Sequence, residues 1–382
     1  MTLINSKLPD VGTTIFTHMS ALAARCKALN LSQGYPDFDP PQPLLEAMTR
    51  AVVDGNNQYA PMAGLPALRE QLAVQLALHR GVDCDPDAEI TIVPGATEGI
   101  FCAIMASVRH GDEAIVLDPS YDSYAPAVRM AGGRAVHVAL RSDDFMPDWG
   151  AIEAAISPRS RMIVINSPHN PTGTTWPECD LQILEQLAHR HNLLVCSDEV
   201  YEHLVFDGKQ HHSVLQRPGL RERSFAHFSF GKTFSVTGWK TGYCVATPAL
   251  TNELRKVHQF VAFVAVTPVQ RAIADFLAAD PGYPASLADT YQRRRDLFCD
   301  ALAGSRFKLR PSQGTYFQLL DYSDVSEQPD RELCEAWTHN PGIACIPVSV
   351  FYQQAPTQSL LRFCFAKRDE VLLEAAEMLC RI

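Results

Sequence analysis

Lys232 is the residue of this chain whose surroundings best suit covalent chemistry. It follows an apolar run at residues 225–230, with the hydroxyl of Ser229 close before it and a second cation, Lys240, eight positions after it. A lysine that is desolvated in such a setting loses its proton more easily, and its neutral amine then attacks an aldehyde. Hydroxyls and the second cation would bind a phosphate on the same molecule. The segment therefore indicates a site for a phosphorylated aldehyde, with an ordinary surface turn as the alternative.

Two further candidate sites come where predicted strands end. Residues 94–99, Pro-Gly-Ala-Thr-Glu-Gly, open a mostly apolar helix. Free N–H groups at a helix start and the Thr97 hydroxyl suit a phosphate, whereas a plain glycine turn with Thr97 as N-cap is the alternative. After the next strand, Tyr121 would stack on a planar ring, unless it is an aromatic of the core or the rim. Ligands of open α/β sheets bind at this edge, beyond the carboxyl ends of the strands.

An amide and a carboxylate follow two more predicted strands. Prolines two positions before and one position after Asn170 restrict its backbone and fix the direction of its amide, although Asn-Pro also starts ordinary turns. Asp198 ends the next strand, and Tyr201 comes shortly after it. A carboxylate at the end of an apolar strand needs a partner. A protonated ring nitrogen would serve, and so would a helix cap or a structural ion pair.

Arg362 stands alone among apolar residues in a strand predicted at residues 361–366. Arginine is rarely buried unless a planar anion meets its guanidinium group. A substrate carboxylate would satisfy it, and so would a structural Asp or Glu. The residues themselves leave both partners open.

Alternating helices and short apolar strands predict an α/β fold for the part of the chain that carries most of these residues. Because the strands are apolar on both faces, we expect a mostly parallel sheet covered by helices on both sides. Residues 242–247 are expected to form a last, antiparallel strand. The other strands are predicted at residues 89–93, 114–118, 161–166, 193–198 and 225–230.

The pattern changes after a cluster of helix-breaking residues at 280–284. A long helix is predicted there at residues 287–303, and short strands, among them residues 307–309, alternate with helices to the end of the chain. This pattern indicates a second, smaller α+β domain. We expect three parts: an N-terminal arm that contributes to the small domain (residues 1–43), a large domain (44–283) and the small domain (284–382).

Composition excludes several classes of protein. The chain has 382 residues and a net charge of -10 without a long basic block, so we expect no nucleic-acid partner. Residues 1–13 lack the apolar stretch of a signal peptide, and no segment approaches the roughly 18 apolar residues of a membrane helix. Eleven scattered cysteines predict reduced thiols in a cytoplasmic protein. The histidines, including His211 and His212 in a polar loop, lack the spacing of metal ligands and are expected at a solvated surface.

Together and in this order, the segments resemble the fold-type I, class I aminotransferases, which depend on pyridoxal phosphate. The resemblance covers almost the whole chain and is strongest to the kynurenine aminotransferase and cysteine-conjugate lyase branch, especially bacterial methionine aminotransferases. The segments that carry it are Gly-Ala-Thr-Glu (95–98), Asp-Pro-Ser-Tyr-Asp-Ser-Tyr (118–124), Asn-Ser-Pro-His-Asn-Pro (166–171), Ser-Asp-Glu-Val-Tyr-Glu-His (197–203) and Ser-Phe-Gly-Lys-Thr (229–233).

The resemblance implies where the ring of pyridoxal 5'-phosphate would lie. Lys232 would be the Schiff-base lysine and the proton-transfer group. Asp198 would pair with the pyridine nitrogen, and Tyr121 would stack on the ring. Tyr201 and Asn170 would bond the phenolic oxygen of the ring.

The phosphate and the substrate would occupy the two ends of the same site. Four residues of this chain and one of the neighbouring subunit of a homodimer would hold the phosphate: Ala96, Thr97, Ser229, Lys240 and Tyr59. Most relatives carry arginine in place of Lys240, and a lysine, as a point charge, is expected to lower phosphate affinity modestly. Arg362, Asn170 and the backbone of Gly34 would bind the substrate carboxylate, and Phe16 would line the side-chain pocket.

The implied activity is transamination between an amino acid, such as methionine or an aromatic amino acid, and a 2-oxo acid. It would proceed by a ping-pong cycle through pyridoxamine phosphate. A cysteine-conjugate carbon–sulfur β-lyase that uses the same cofactor is the alternative. A regulator that has lost catalysis is a third reading, which the full set of chemical residues disfavours.

Overall fold

The computed structural model describes residues 4–382. Met1–Leu3, part of the predicted N-terminal arm, lie outside the described residues. The strands are β1 (Leu29–Asn30), β2 (Ile90–Val93), β3 (Glu113–Asp118), β4 (Arg134–Ala139), β5 (Ser160–Asn166), β6 (Leu194–Asp198), β7 (Ser224–Ser229), β8 (Gly242–Val245), β9 (Phe317–Asp321), β10 (Ile343–Ala344), β11 (Ile346–Pro347) and β12 (Leu360–Cys364).

Within residues 4–382, fourteen α-helices surround and connect these strands. Several of them begin with proline at the first or second helical position, where its missing N–H costs nothing. The helices are α1 (Ile15–Cys26), α2 (Gln42–Val53), α3 (Pro66–Arg80), α4 (Ala96–Ser107), α5 (Tyr124–Met130), α6 (Trp149–Ala155), α7 (Glu178–Arg190), α8 (Pro218–Arg221), α9 (Phe230–Thr233), α10 (Pro248–Val261), α11 (Thr267–Ala279), α12 (Tyr283–Ala301), α13 (Asp330–His339) and α14 (Asp369–Cys380).

The central sheet has seven strands in the order β2-β8-β7-β6-β5-β3-β4. All of them run parallel except β8, which pairs antiparallel with both β2 and β7. Strands such as β2 and β3 are buried along their whole length, as their apolar side chains on both faces require. The predicted α/β class and helix-covered sheet are confirmed.

Apolar clusters cover both faces of this sheet. One cluster joins it to α2, α3, α7 and α11, and another joins the opposite face to α4, α5 and α10. A third cluster brings Met19, Leu22 and Leu31 together with residues 287–379. In the same region β1 pairs with β10, so the N-terminal segment and the C-terminal part share one core. The domain limits at residues 43 and 283 remain a prediction.

The antiparallel sheet β11-β12-β9 belongs to this C-terminal part. It carries Arg362 in β12, paired with Leu319 of β9 and Ile346 of β11. The arginine therefore projects from the middle strand of a small sheet, which fixes its position relative to the central sheet.

Two details differ from the expectations. β4 was not predicted, because Arg134 and His137 interrupt its apolar pattern at the edge of the sheet. The strand predicted last along the chain, β8, is antiparallel as expected and lies between β2 and β7. The strand expected at residues 307–309 is wrong: only Lys308 bridges to Asp321, and Pro311 has no N–H to extend the pairing. Among residues 4–382, no helix is both long and apolar enough to cross a membrane.

Candidate active site

A cavity of about 490 Å³ lies beyond the carboxyl ends of β3, β5, β6 and β7 and beside the N-terminus of α4. The small sheet closes it from the other side through Arg362 and Phe317. All the predicted site residues except Tyr59 line this cavity: Phe16, Gly34, Ala96, Thr97, Tyr121, Asn170, Asp198, Tyr201, Ser229, Lys232, Lys240 and Arg362. The tertiary structure thus brings together residues that are spread over 347 positions of the chain, from Phe16 to Arg362.

Lys232 enters the cavity from α9, a single turn that begins directly after β7. Its Nζ donates hydrogen bonds to the hydroxyl of Tyr316 (2.8 Å) and to the carbonyl of Gly34 (3.3 Å). Burial lowers the pKa of the Lys232 amine to about 8, and the nearby positive charges of Lys240 and Arg362 act in the same direction. About a tenth of this amine is therefore neutral and nucleophilic at pH 7, and about half of it at pH 8.

Asp198 is buried at the end of β6, and no cationic side chain of residues 4–382 contacts it. Its Oδ2 accepts a hydrogen bond from the Tyr124 hydroxyl (2.5 Å), and its Oδ1 accepts one from the N–H of Val200 (3.3 Å). Burial raises the pKa of the Asp198 carboxyl to about 6, although the Tyr124 hydrogen bond opposes this rise. A carboxylate in this state fits a protonated ring nitrogen, which would supply the missing positive charge.

Arg362 is buried, and no Asp or Glu side chain of residues 4–382 contacts its guanidinium group. Nη1 donates to Oδ1 of Asn170 (2.7 Å) and Nη2 to the carbonyl of Ser32 (3.1 Å), whereas Nε has no partner. Burial lowers the pKa of the guanidinium to about 10. Because the structural Asp or Glu that the sequence left open is absent from these contacts, the N–H groups of Nη1 and Nη2 that remain free suit an external anion.

A short chain of hydrogen bonds connects this arginine to the strand end that carries the carboxylate. The backbone N–H of Asn170 donates to Oδ1 of Asn166 (2.8 Å), and Nδ2 of Asn166 donates to the carbonyl of Asp198 (2.8 Å). Asn170 therefore has a fixed backbone, and its side-chain oxygen is engaged by Arg362.

The start of α4 forms the corner of the cavity that is suited to a phosphate. Gly95 precedes the helix with φ 81°, and a Cβ on it would lie 3.2 Å from Nζ of Lys240. A Cβ on Gly242 would lie 2.3 Å from the carbonyl of Phe228 and 3.0 Å from the N–H of Ala96, so only glycine allows this close approach. The alternative role of Thr97 as N-cap is wrong, because Gly95 occupies that position and no side chain caps the helix. Its first N–H groups are thus available to an anion.

Aromatic rings form the wall next to Arg362. The ring of Phe16 lies 6.4 Å from that of Tyr121 and 5.9 Å from that of Phe351, between centroids. The guanidinium carbon of Arg362 lies 3.9 Å from the centroid of Phe317. Tyr201 packs edge-to-face against Tyr316 at 5.1 Å, and burial raises the pKa of its hydroxyl, which stays protonated.

Tyr59 lies elsewhere on the surface of its own chain. Its side chain is 83% exposed, and its ring packs edge-to-face against Phe263 at 5.6 Å. The structure therefore does not bring Tyr59 to the cavity within one chain.

Several residues at the site were missed from the sequence. Tyr316, which bonds Lys232, was not among the candidates, and Tyr124, which bonds Asp198, appeared only within a motif. Gly314, two positions before Tyr316, and Tyr121, three positions before Tyr124, are the signals that would have drawn attention to them. Asn166 also appeared only within a motif, whereas Phe317 and Phe351 carried no such signal, because hydrophobic side chains have many other uses.

The histidines near the site have structural partners. His211 was expected at a solvated surface, which is wrong: it is buried and bonds Oε2 of Glu199 (2.7 Å). His169 is also buried, between Oγ1 of Thr172 (2.6 Å) and the carbonyl of Pro119 (3.0 Å). Burial lowers the pKa of His169 to about 4, so it supports its loop as a neutral ring.

Comparison with known proteins agrees with this site. The family model for aminotransferase class I and II matches residues 27–379. The methionine aminotransferase of Escherichia coli strain K12 is 49% identical over 98% of this chain and 97% of its own length. Human kynurenine–oxoglutarate transaminase 1 is 34% identical over 93% of this chain and 92% of its own. A crystal structure from Escherichia coli, of a protein with a methionine aminotransferase function, is 48% identical with a TM-score of 0.97 over the full length of both chains.

These matches confirm the family resemblance of the motifs, and they do not favour the lyase alternative. The buried lysine, the buried carboxylate and the open helix N-terminus fit an aldehyde, a ring nitrogen and a phosphate on one molecule. The chain belongs to the class I and II aminotransferases and is an enzyme of that family that acts with pyridoxal 5'-phosphate.

Proposed function

We propose that this aminotransferase takes its amino group from methionine or aromatic amino acids. The observation that carries the proposal is the wall of Phe16, Tyr121 and Phe317 beside Arg362. Among the described residues, the cations that line the cavity are Lys232, Lys240 and Arg362, and each already has a proposed role. A second carboxylate on the donor side chain would therefore find aromatic rings instead of a cation. The methionine aminotransferase of Escherichia coli, 49% identical, supports the same choice.

The residues at the carboxylate end would orient the donor. Arg362 would bind the α-carboxylate through the Nη N–H groups that Asn170 and Ser32 do not engage, with Asn170 holding the guanidinium in place. A fixed carboxylate fixes the directions of the bonds at Cα, and so selects loss of the Cα proton over loss of CO₂. Lys232 Nζ, with its lowered pKa, would remove that proton and hold it for return.

The remaining residues would hold the cofactor. Pyridoxal phosphate, when bound, supplies an aldehyde for amines and a ring that accepts the electrons left at Cα. Asp198 would keep the proton on the ring nitrogen, Tyr201 and Asn170 would bond the ring oxygen, and Tyr121 would lie against the ring face. The phosphate would be bound at the start of α4 by Ala96, Thr97, Ser229 and Lys240. The lower phosphate affinity expected from Lys240 remains a prediction.

A homodimer with shared active sites is part of the same proposal. Tyr59 lies beside an exposed apolar patch at the end of α10 and the start of α11, in which Phe260 is 86% exposed; its other members are Val261, Phe263 and Val266. A patch of this kind is typical of a protein interface. If a second copy covers it, Tyr59 leaves solvent and is free to reach the phosphate of the neighbouring subunit.

We place the enzyme in the reducing cytoplasm. Six of the eleven cysteines are buried in the apolar clusters, where thiols of cytoplasmic proteins are commonly found as reduced core residues.

A donor panel tests the proposed function. Each amino acid is mixed with the pyridoxal form of the enzyme, and the shift between the two cofactor spectra is followed without an acceptor. We expect saturable conversion with methionine, phenylalanine and tyrosine, and at least about tenfold lower kcat/KM with aspartate and glutamate, whose second carboxylate is desolvated without a partner. Preference for a dicarboxylic donor contradicts the proposal. Formation of pyruvate from a cysteine conjugate, without any added 2-oxo acid, would point to the lyase instead.

A further inference from the structure

Tyr316 is the side chain that contacts the amine of Lys232, and no role in the proposed mechanism accounts for it. Its hydroxyl donates to the carbonyl of Gly34 (2.5 Å) and accepts from Nζ of Lys232 (2.8 Å). A carbonyl oxygen only accepts hydrogen bonds, so the single phenol proton points to Gly34. The phenol oxygen therefore presents its lone pairs to Lys232, and the lysine is the donor in this contact.

The position of this hydroxyl is fixed by the fold. Tyr316 is fully buried, and its carbonyl accepts the N–H of Phe365 (2.9 Å). Its ring packs against Tyr201 at 5.1 Å and against Phe317 at 4.9 Å. The preceding residue, Thr315, has φ 66° and bonds the carbonyl of Leu204 through its N–H (2.9 Å). The tyrosine is thus held by backbone bonds to two separate segments and has no room to swing away.

We propose that Tyr316 is a positioning residue which, together with the carbonyl of Gly34, holds the amine of Lys232 whenever that amine is not bonded to the cofactor. A neutral amine has two N–H groups, and both have an acceptor here, Tyr316 and Gly34. Its lone pair then points away from these acceptors, as a base that removes a proton requires. In the protonated amine the third N–H points where the lone pair of the neutral amine points. The same position of Nζ therefore suits both removal and return of the proton.

Tyr316 acts through Lys232 and not as an acid or base of its own. Burial raises the pKa of its hydroxyl well above the ordinary value, so the phenol stays protonated over the working range. The inference rests on the proposed role of Lys232 as the proton-transfer group.

Tyr316→Phe tests this position, and Tyr291→Phe is its matched control. Tyr291 is also buried, and its ring lies 6.0 Å from that of Tyr316, but its hydroxyl faces Ser235 (3.4 Å) instead of Lys232. Both variants lose one phenol hydroxyl from the same aromatic cluster. Thermal unfolding of the two variants shows whether each is folded.

The first readout needs no turnover. The full-length enzyme, stripped of cofactor, is labelled with acetic anhydride from pH 6 to 10, and modification of Lys232 is measured by mass spectrometry against the other lysines. Removing the acceptor disfavours the charged amine, so we expect the labelling midpoint of Tyr316→Phe to move about one pH unit lower. The Tyr291→Phe midpoint is expected to match that of the unaltered enzyme.

The second readout is the half-reaction with methionine. We expect Tyr316→Phe to lower kcat about tenfold with KM nearly unchanged, because the Arg362 end is intact, and to raise the isotope effect of α-deuterated methionine. An unchanged labelling midpoint, or equal effects of Tyr291→Phe, overturns the inference. If instead the proposed role of Lys232 as the proton-transfer group is wrong, the result differs: Lys232→Ala keeps its turnover, while the labelling shift of Tyr316→Phe persists.

Discussion

Among single residues, Arg362 leads to a prediction about substrate affinity, because no Asp or Glu of residues 4–382 contacts its guanidinium group. Arg362→Lys keeps the positive charge but loses the planar fork, so the donor carboxylate is held by a point charge. We expect a loss of about 2 kcal/mol in transition-state stabilisation, or roughly 30-fold in kcat/KM, for donors and acceptors alike. Half-reaction kinetics with methionine and a 2-oxo acid measure it.

Arg295→Lys provides the comparison. Arg295 is also buried, but its guanidinium pairs with Asp207 (2.7 Å) on a part of the molecule that does not line the cavity. The substitution is expected to lower the unfolding temperature without a change in KM. Equal kinetic effects of both substitutions would show that the Arg362 result reflects general damage.

Asp198 leads to a prediction about pH and stability. Its pKa is about 6 in the folded chain and about 3.9 in an unfolded chain, so the folded state binds the proton more tightly between these values. For a raised acid pKa, stability is lost as pH rises through this window. The cofactor-free enzyme should therefore lose about 2 kcal/mol between pH 4 and pH 7 from this group. Asp198→Asn removes that loss, and urea unfolding of both cofactor-free proteins at the two pH values measures the difference. Parallel pH profiles would contradict the assignment.

At the scale of elements, the turn before α4 links backbone conformation to phosphate binding. Gly95 has φ 81° and ψ 156°, a region that is essentially restricted to glycine, and its missing Cβ leaves room for Lys240. Gly95→Ala should therefore cost about 1–3 kcal/mol of stability and also weaken cofactor binding about tenfold, by displacing the ammonium group. Urea unfolding and equilibrium titration with pyridoxal phosphate measure the two effects.

Gly81→Ala separates strain from binding at this element. Gly81 caps α3 with φ 63°, and a Cβ on it would meet no atom within 4 Å. It should cost about 1 kcal/mol of stability and leave cofactor affinity as it is. If Gly95→Ala only destabilises the chain in the same way, the start of α4 does not hold the phosphate.

At the scale of the whole molecule, the exposed Tyr59 leads to a prediction about mixed dimers. If Tyr59 serves the neighbouring site, a dimer of one Tyr59→Ala chain and one Lys232→Ala chain contains one intact site. Unfolding and refolding the two inactive variants together should restore about a quarter of the activity, since half of the dimers are mixed and each has one of two sites. Turnover with methionine at limiting cofactor measures it. Absence of recovery, with mixed dimers present by mass spectrometry, contradicts shared sites.

The chemistry of the site and the fold class were predictable from the amino-acid pattern alone. Lys232, Asp198 and Arg362 are ionisable residues next to or inside apolar strands, and such residues require partners, so their positions alone mark them as candidates. The strands of the central sheet were predictable because they are apolar on both faces. β4 was not, since an edge strand with polar residues lacks that pattern.

Contacts between segments that are distant in the sequence were not predictable in this way. No local pattern shows that Tyr316 bonds Lys232, 84 positions away, or that Tyr124 bonds Asp198, 74 positions away. Nor does a local pattern distinguish an arginine paired with a structural carboxylate from one with a free donor, because the difference lies in what is absent around it. The charge of a side chain and its apolar neighbours in the sequence show that it needs a partner. Which partner it receives is determined only in the folded chain, because folding brings two sheets together around one cavity.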